Sequence, residues 1–336
     1  MKIAIIGAGA IGGLVAGYLA DKDEEVVLVA HPEQFTAISQ NGLRIEGTRG
    51  RLSVTLPVKR QLDEKVDLTI LAIKTQDLEK AISENFTYLK EACILTVQNG
   101  VRAEEIVAKR LGKDRLFASI VMFGATYLAP GKIVHNFEGD WILGRIDNRP
   151  KVGLEEIRKV TSKIFPSPLS DEIMGMKWLK LFVNANNCLP AILGKSMQET
   201  FKDISICKIS LGIWQEGWRL VNKARIKLAS LPDFPLERIS GLISLPPDEA
   251  ARIFSNIMAS LSQEPLYGSI LQSIKRGRPS EIDYINGEFV KLANSIGQDA
   301  PLNERLVRMV HRVEKSKRFF SEEELINQTR EFLIHK

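Results

Sequence analysis

Apolar and polar positions follow two different patterns along the chain. In the first half, short apolar runs alternate with longer amphipathic stretches, a pattern typical of buried parallel strands joined by helices. We predict helices at 14–20, 35–41 and 154–165. Strands or extended segments are predicted at 3–6, 26–30, 42–46, 67–74, 91–100, 116–121, 132–136 and 141–144. This order indicates a doubly wound α/β sheet with a partly antiparallel end.

The pattern becomes helical after Pro166-Ser167-Pro168, which we interpret as a linker. Proline residues 232, 235, 246 and 247 mark breaks between the later helices. Helices are predicted near 171–193, 201–229, 247–260, 279–296, 301–312 and 321–334. The sequence therefore predicts an N-terminal Rossmann domain at 1–167 and an all-α domain at 168–336.

A glycine-rich loop follows the first predicted strand directly. Its sequence is Gly7-Ala8-Gly9-Ala10-Ile11-Gly12. Gly7 permits a tight turn, Gly9 lets a pyrophosphate approach the backbone, and Gly12 lets the next helix pack closely. The pyrophosphate would lie at that helix N-terminus. The alternative is a glycine-rich turn that binds nothing.

Composition narrows the functional classes. The chain has 336 residues, 44% of them hydrophobic and 26% charged, which is ordinary for a globular protein of two domains. The net charge of +5 comes with no basic block, so nucleic-acid binding is not indicated. No apolar run reaches the ~20 residues that span a bilayer. The first strand starts at Lys2, and we expect a cytoplasmic protein without a signal peptide.

Cysteine and histidine positions give no metal motif. Cys93, Cys188 and Cys207 lie far apart and are expected to be reduced thiols. The four histidines, at positions 31, 135, 311 and 335, have no ligand spacing. We predict no metal.

Two polar residues end predicted strands at the edge where such sheets bind ligands. They are Lys74 and Asn99. The alternative for both is a solvated loop position, and Asn99-Gly100 is also a common turn sequence.

The segment Trp178-Leu179-Lys180-Leu181-Phe182-Val183-Asn184-Ala185-Asn186-Asn187 carries polar residues in apolar surroundings. Lys180, Asn184 and Asn187 have helical spacing and are predicted to share one stripe. A partly buried lysine has a lowered pKa and can donate a proton. The alternative is a surface lysine followed by asparagines that cap the helix.

A third group comprises Ser269 and the segment Ser280-Glu281-Ile282-Asp283. Ser280 is a plausible N-cap, with Asp283 completing a capping box. Glu281 would lie in the first turn, where the helix dipole favours its charged form. The alternative is that Glu281 only stabilises that helix end.

Together these segments resemble the ketopantoate reductase family. The resemblance rests on the glycine loop, Ile73-Lys74, Gln98-Asn99-Gly100 and Pro130-Gly131-Lys132, and also on Trp178-x-Lys180-Leu181-x-x-Asn184 and on Ser269 twelve residues before Glu281-Ile282-Asp283-Tyr284-Ile285-Asn286-Gly287. It implies a Rossmann domain, followed by a helical domain similar to the C-terminal domain of 6-phosphogluconate dehydrogenase. It also implies NADPH-dependent reduction of a 2-oxo acid, ketopantoate, to pantoate in pantothenate biosynthesis.

The resemblance also implies roles for individual residues. Lys180 would be the general acid, and Glu281 would orient it and accept a hydrogen bond from a substrate hydroxyl. A cleft between the domains would bring the groups together. The cofactor would be held by Gly7, Ala8, Gly9, Ala10, Ile11, Gly12, His31, Lys74 and Asn99. The substrate would be held by Asn99, Asn184, Asn187 and Ser269.

Three positions leave alternatives open. The family usually has arginine at the end of the second strand, where this chain has His31 followed by Pro32 and Glu33, so NADH remains an alternative cofactor. Cys188 and Ser273 occupy positions that are often Asn and Asp, which leaves another 2-oxo acid open. A catalytically silent NADP(H)-binding regulator is a further alternative. A homodimer through the helical domain is expected without an identified interface.

Overall fold

The first strand shows why the chain forms a sheet with two covered faces. In Ile3–Ile6 every residue is buried, with Ile3 and Ile5 in one hydrophobic cluster and Ala4 and Ile6 in another. Alternate side chains of a strand point to opposite faces, so both faces must be covered. The structure is a computed structural model that describes residues 1–147, 153–260, 262 and 264–333.

The described chain divides into two compact units. Unit 1 comprises residues 1–98 and 102–174, and unit 2 comprises residues 99–101 and 175–336. Unit 1 extends past Pro166–Pro168, because the carbonyls of Pro166 and Pro168 accept hydrogen bonds from Trp141 and Leu143 in the sheet. No helix in the described ranges is both long and apolar enough to cross a membrane.

Unit 1 alternates strands and helices, as the sequence predicts. Its helices are α1 (Ala10–Asp21), α2 (Pro32–Asn41), α3 (Leu78–Leu89), α4 (Ala103–Leu111) and α5 (Leu154–Thr161), with a 3₁₀ turn at Thr75–Asp77. Its strands are β1 (Ile3–Ile6), β2 (Val26–Val29), β3 (Leu43–Gly47), β4 (Gly50–Val54), β5 (Val58–Lys59), β6 (Leu68–Leu71), β7 (Cys93–Thr96), β8 (Leu116–Val121), β9 (Gly124–Ala129), β10 (Lys132–Phe137), β11 (Trp141–Arg145) and β12 (Leu169–Ser170).

These strands form two sheets. The larger sheet has the order β12-β11-β8-β7-β6-β1-β2-β5 and is parallel except where β11 pairs with β8. The predicted doubly wound sheet with a partly antiparallel end is therefore confirmed. The smaller sheet has the order β4-β3-β10-β9, and its strands pack against α1.

Helices dominate unit 2. They are α6 (Ile173–Ala185), which begins at the end of unit 1, α7 (Cys188–Leu193), α8 (Met197–Thr200), α9 (Ile204–Lys223), α10 (Leu236–Ser244), α11 (Pro247–Ala259), α12 (Ser269–Lys275), α13 (Asn286–Ser295), α14 (Pro301–Ser316) and α15 (Glu322–Thr329), with 3₁₀ turns at Ile282–Tyr284 and Arg330–Phe332. Helix α9 packs against α10, α11, α13, α14 and α15. The predicted helical second domain is confirmed.

Several element predictions are wrong in detail. The predicted helix 171–193 is two helices, because asparagines favour helix ends and Pro190 cannot donate the hydrogen bond that a continuous helix needs. The predicted helix 279–296 begins only at Asn286, after a 3₁₀ turn. The predicted helix 321–334 ends in a 3₁₀ turn, and residue 334 lies outside the described residues, as does His335.

Several elements, most of them short, were not predicted. The unpredicted strands are β4, β5, β9 and β12, and the unpredicted helices are α8, α10 and α12 together with the longer α3 and α4. Pro235 lies between two helices, as predicted, and is the N-cap of α10, where its missing N–H breaks no helical hydrogen bond. The two-residue strands β5 and β12 exist only because a longer neighbour supplies hydrogen bonds.

A polar network ties the helices of unit 2 together. Glu216 on α9 accepts hydrogen bonds from the backbone N–H groups of Leu302 and Asn303 and from the Asn303 amide. The Asn303 side chain in turn accepts from Asn286 at the start of α13, at 2.9 Å. Burial raises the pKa of Glu216, and the bonds from Asn303 and Leu302 act against that rise. The carboxylate thus caps α14 and links three helices.

We expect Glu216→Ala to destabilise unit 2 by about 1–3 kcal/mol, because the N-terminal N–H groups of α14 and the Asn303 amide lose their acceptor. Urea unfolding followed by tryptophan fluorescence would measure it, since Trp178, Trp214 and Trp218 lie in this unit. The control is Gln215→Ala, whose exposed side chain makes one hydrogen bond at 3.5 Å. Equal stabilities of the two variants would contradict this role of Glu216.

Candidate functional site

The glycine loop joins β1 to α1 in the way that the sequence predicts. Gly7 has φ +114°, and a Cβ there would lie 2.6 Å from the Ala72 carbonyl oxygen. A Cβ on Gly12 would lie 1.9 Å from the Gly7 carbonyl oxygen. A Cβ on Gly9 would meet no protein atom within 4 Å. Two glycines are thus required by the protein itself, whereas the space at Gly9 is open.

The first turn of α1 fits an anionic group. Gly9 is its N-cap, no side chain caps the free N–H groups, and the turn contains no acidic residue. A twelve-residue helix with an uncapped N-terminus attracts negative charge through its N–H groups and its dipole. Together with the open space at Gly9, this arrangement fits the pyrophosphate of a dinucleotide.

Three neighbouring parallel strands end at this edge of the sheet. The order β6-β1-β2 places Lys74, the glycine loop and His31 at the carboxyl ends of adjacent strands. His31 is exposed and is the N-cap of α2, whereas Lys74 is partly exposed and is the N-cap of the 3₁₀ turn at Thr75–Asp77. The structure therefore brings the predicted cofactor residues of unit 1 to one edge.

Two buried glutamines hold this edge in place. Gln34 donates from Nε2 to the Ala8 carbonyl oxygen at 2.9 Å. Gln98 donates from Nε2 to the carbonyl oxygens of Leu71 and Ile73, at 2.7 and 2.9 Å. No local pattern marks Gln34, whereas Gln98 directly follows an apolar strand, which is a usable signal. Their amides fix the glycine loop and the chain that leads to Lys74.

The turn after Gln98 packs in unit 2. Gly100 has φ +81°, and a Cβ there would lie 2.4 Å from the Tyr284 carbonyl oxygen. The neighbouring Asn99 is partly exposed. The close approach of Gly100 fixes Asn99 beside the 3₁₀ turn that follows Glu281.

Lys180 lies in α6 among buried apolar residues. Leu179, Leu181 and Phe182 are completely buried, and Lys177, one turn earlier, is 2% exposed. Burial lowers the pKa of Lys180 to about 7, and the positive charge of Lys177 contributes to the same shift. Such a group can be protonated or neutral near neutral pH, which is the property required of a general acid or base.

Asn184 lies one turn after Lys180 in the same helix. Its Nδ2 is buried and has no hydrogen-bond partner within the described chain. Because a buried donor without an acceptor costs free energy, this amide is suited to a bound ligand.

Asn187 corrects the predicted stripe. It follows the end of α6 at Ala185 and precedes α7, so it does not continue the helical face of Lys180 and Asn184. Its side chain lies against Gly268, whose Cβ would be 3.1 Å from the Asn187 Cγ. Gly268 is the N-cap of α12, which begins with the exposed Ser269. The fold therefore places Asn187 against the residue that precedes Ser269, although several helices separate them in sequence.

Cys188 does not lie on the surface that carries Ser269. Its thiol is completely buried and contacts the Asn286 amide, and burial raises its pKa. Ser273 is partly buried in α12. The cysteine at position 188, where the family often has asparagine, is therefore a core residue of unit 2.

The segment with Glu281 is held by side chains that the sequence analysis did not assign. Ser280 does not form the predicted capping box with Asp283; its backbone N–H donates to Glu314 Oε1 at 2.7 Å, and its hydroxyl accepts from Ile282 N–H. The reason is that a 3₁₀ turn, and not an α-helix, follows Glu281, which is partly buried. The long sequence separation of Ser280 and Glu314 hides this contact from local patterns.

His311 links the same segment to α14. Its Nε2 lies 2.9 Å from Asp283 Oδ1, and its Nδ1 lies 2.8 Å from Glu314 Oε2. Burial disfavours the charged imidazole, but the hydrogen bonds to both carboxylates outweigh it, so the pKa of His311 is above its ordinary value. We name this pair of contacts the His311 clamp.

Comparisons with known proteins agree with these two units. Profiles described as ketopantoate reductase PanE/ApbA and its C-terminal domain match residues 3–148 and 172–314. The chain is 28% identical over 305 residues to 2-dehydropantoate 2-reductase of Pyrococcus abyssi, covering 90% of this chain and 94% of that one. It is 29% identical over 306 residues to that of Pyrococcus horikoshii, with the same coverages.

Solved structures are also similar. D-mandelate dehydrogenase with NADH and anilino(oxo)acetate superposes with a TM-score of 0.82 and 25% identity, over 94% of this chain and 99% of that one. A PanE/ApbA family ketopantoate reductase from Ralstonia eutropha has a TM-score of 0.80 and 25% identity, with the same coverages. Both similarities extend over both units.

The His311 clamp makes stability pH-dependent. A raised His pKa stabilises the fold fully below the ordinary value of 6.5, and this contribution is lost as the pH rises through the folded-state pKa. We expect His311→Phe to destabilise the protein by about 0.5 kcal/mol or less at about pH 6, because exposed pairs are screened, and by less at about pH 9. Thermal unfolding at both pH values would measure the difference.

The control for the His311 clamp is Arg308→Ala on the same helix, which removes a surface pair with Glu304. Its effect should not change between those pH values. A His311→Phe effect that is equally large at both would contradict the clamp.

Proposed function

Because the chain belongs to the ketopantoate reductase family, we propose that it reduces ketopantoate to pantoate with NADPH, a reaction of pantothenate biosynthesis. The observation that carries the proposal is Lys180, whose pKa is lowered to about 7, on the same helix as Asn184, whose buried Nδ2 has no hydrogen-bond partner among the described residues. Reduction of a ketone needs a positioned proton donor where negative charge develops on oxygen.

The cofactor would lie on unit 1. The glycine loop and the N-terminus of α1 would hold the pyrophosphate, and Lys74 and His31 would flank it on the neighbouring strand ends. When bound, NADPH supplies the hydride.

The residues of unit 2 would bind the 2-oxo acid and deliver the proton. Asn184 would donate its unsatisfied Nδ2–H to a substrate oxygen, and Lys180 would transfer a proton from Nζ to the developing alkoxide. Asn99, Asn187 and Ser269 would hold the remaining polar groups of the substrate. Glu281 would accept a hydrogen bond from its hydroxyl and orient Lys180. These roles are supported by the resemblance and by the placements described above.

The direct test of the activity is a substrate comparison. We expect NADPH to be oxidised with ketopantoate at a higher kcat/KM than with phenylglyoxylate, the aromatic 2-oxo acid that corresponds to mandelate. A preference for phenylglyoxylate would contradict the ketopantoate assignment. Nucleotide binding without turnover of either acid would favour a silent regulator.

We expect Lys180→Gln to lower kcat by about 10²–10⁴-fold, the usual contribution of a positioned acid. In the unmodified protein, kcat should fall as the pH rises above about 7, because only the ammonium form donates. Stopped-flow oxidation of NADPH at several pH values would measure both effects.

Lys195→Gln is the matched control, since Lys195 forms a surface pair with Glu322 at 2.7 Å. It should retain the activity and the pH profile. Full activity of Lys180→Gln would remove Lys180 from the mechanism.

The open space at Gly9 gives a test of the nucleotide site. Gly9→Ala should fold with unchanged stability but bind NADPH at least about tenfold more weakly, about 1.4 kcal/mol, because its Cβ would occupy the pyrophosphate space. Gly241→Ala is the control, since a Cβ there also meets no atom within 4 Å and lies in α10. Calorimetric titration and thermal unfolding would separate the two effects. Unchanged NADPH affinity in Gly9→Ala would place the nucleotide elsewhere.

A further inference from the structure

The short strand β5 places an arginine at the outer edge of the nucleotide-binding sheet. Arg60 follows Lys59, the last residue of β5, and its side chain is exposed. Within the described part of the chain its guanidinium makes no hydrogen bond, ion pair or ring contact. The sequence pattern does not predict β5, and no role for Arg60 follows from it.

The pairing of β5 with β2 determines which residues lie beside Arg60. The strands are parallel, with Leu28 opposite Val58 and Val29 opposite Lys59. The Ala30 N–H donates to the Lys59 carbonyl oxygen at 2.9 Å, so the ladder continues to the end of β2. Continuing the register by one residue puts Arg60 opposite Ala30, on a strand about 4.8 Å away and next to the turn at His31.

The preceding lysine differs from Arg60 in its partners. Lys59 forms ion pairs with Asp63 and with Glu64, the latter at 3.1 Å. Glu64 is also paired with Lys2. The acidic residues that follow β5 therefore neutralise the lysines, while the charge of Arg60 remains available to a ligand.

This corner is connected to the glycine loop by hydrogen bonds. The Gly7 N–H donates to the Val29 carbonyl oxygen at 2.9 Å, at the end of β2. Gln34 on α2 donates to Ala8, and α2 also packs against β5. The ends of β1, β2 and β5 thus form one continuous edge, with the phosphate-binding turn at one end and Arg60 at the other.

We propose that Arg60 binds the 2′-phosphate of NADPH and is the residue that selects NADPH over NADH in this chain. This assignment rests on the proposed function, in which the glycine loop holds the cofactor pyrophosphate. In a Rossmann domain the adenosine ribose lies at the end of the second strand, where an acidic residue selects the free hydroxyl and a nearby arginine selects the phosphate. A guanidinium binds phosphate oxygens in bidentate geometry. Arg60 supplies this group from the neighbouring strand, where position 31 is histidine.

Glu33 is the competing group at the same edge. It is exposed in the first turn of α2, where its charge favours the helix N-terminus. If Glu33 accepted a hydrogen bond from a free ribose hydroxyl instead, the protein would prefer NADH and Arg60 would have no effect on nucleotide choice.

Binding of nucleotide fragments tests the proposal without turnover. We expect the protein to bind 2′,5′-ADP more tightly than 5′-AMP in calorimetric titrations, and Arg60→Ala to weaken 2′,5′-ADP by about 10–100-fold while leaving 5′-AMP unchanged. NADPH affinity should fall with 2′,5′-ADP affinity, and NADH affinity should not. The control is Arg158→Ala, which removes a surface ion pair with Glu155. Arg158 lies on α5, which packs against β11, and five strands separate β11 from β5 in the sheet order.

The outcomes separate this assignment from the proposed function. Selective loss of 2′,5′-ADP binding in Arg60→Ala supports the assignment, whether or not a 2-oxo acid is reduced. If no 2-oxo acid is reduced, only the proposed reductase activity is contradicted. Equal binding of 2′,5′-ADP and 5′-AMP by the unmodified protein overturns the assignment, as does an Arg60→Ala variant with unchanged 2′,5′-ADP affinity. Turnover of ketopantoate with NADH as efficiently as with NADPH would overturn it while leaving the reduction intact.

Discussion

The contact between Gly12 and the Gly7 carbonyl is the constraint on which unit 1 depends. No side chain larger than hydrogen fits there, since a Cβ on Gly12 would lie 1.9 Å from that oxygen. The contact seats the first turn of α1 against the end of β1. On the other side of α1, Gly13 and Gly17 admit Ile133 and Ile45 of the smaller sheet. The helix is therefore held between two sheets, with its N-terminus at the carboxyl edge of β1.

Two side-chain amides support the edge of the sheet where β1 and β6 end. Gln34 and Gln98 donate hydrogen bonds from their side-chain amides to the backbone carbonyls of Ala8 and Leu71. A buried carbonyl that lacked such a donor would cost free energy comparable to a lost hydrogen bond. The loops at this edge thus have side-chain hydrogen bonds to their backbone although they lie outside the strands. The open space at Gly9 is consequently a property of the folded unit.

Unit 2 holds polar groups within an apolar helical core. Glu216, Asn303 and Asn286 form a buried polar network that fixes α9, α13 and α14. Lys180 lies on a helix whose neighbouring residues are buried and apolar, and burial lowers its pKa. The His311 clamp and Glu314 hold the segment that carries Glu281. The groups that cap α14 and hold the Glu281 segment are therefore distant in sequence from the residues they bind, whereas Lys180 and its buried neighbours share one helix.

Local patterns in the sequence determined the main elements and the glycine loop. Strand and helix periodicity depends on neighbours within a few residues, and so does the turn that needs Gly7, Gly9 and Gly12. The strands β1 and β8 and the doubly wound pattern could therefore be predicted. The sequence also predicted that Lys180 and Asn184 share one helix, because their spacing of four residues is a local pattern. Tertiary structure alone decided the rest. The Asn187 side chain lies against Gly268, and the Ser280 N–H donates to Glu314 on α14. Both pairs are distant in sequence. Arg60 lies beside the end of β2 because a two-residue strand is stable only on a longer neighbour, and no local pattern carries that pairing.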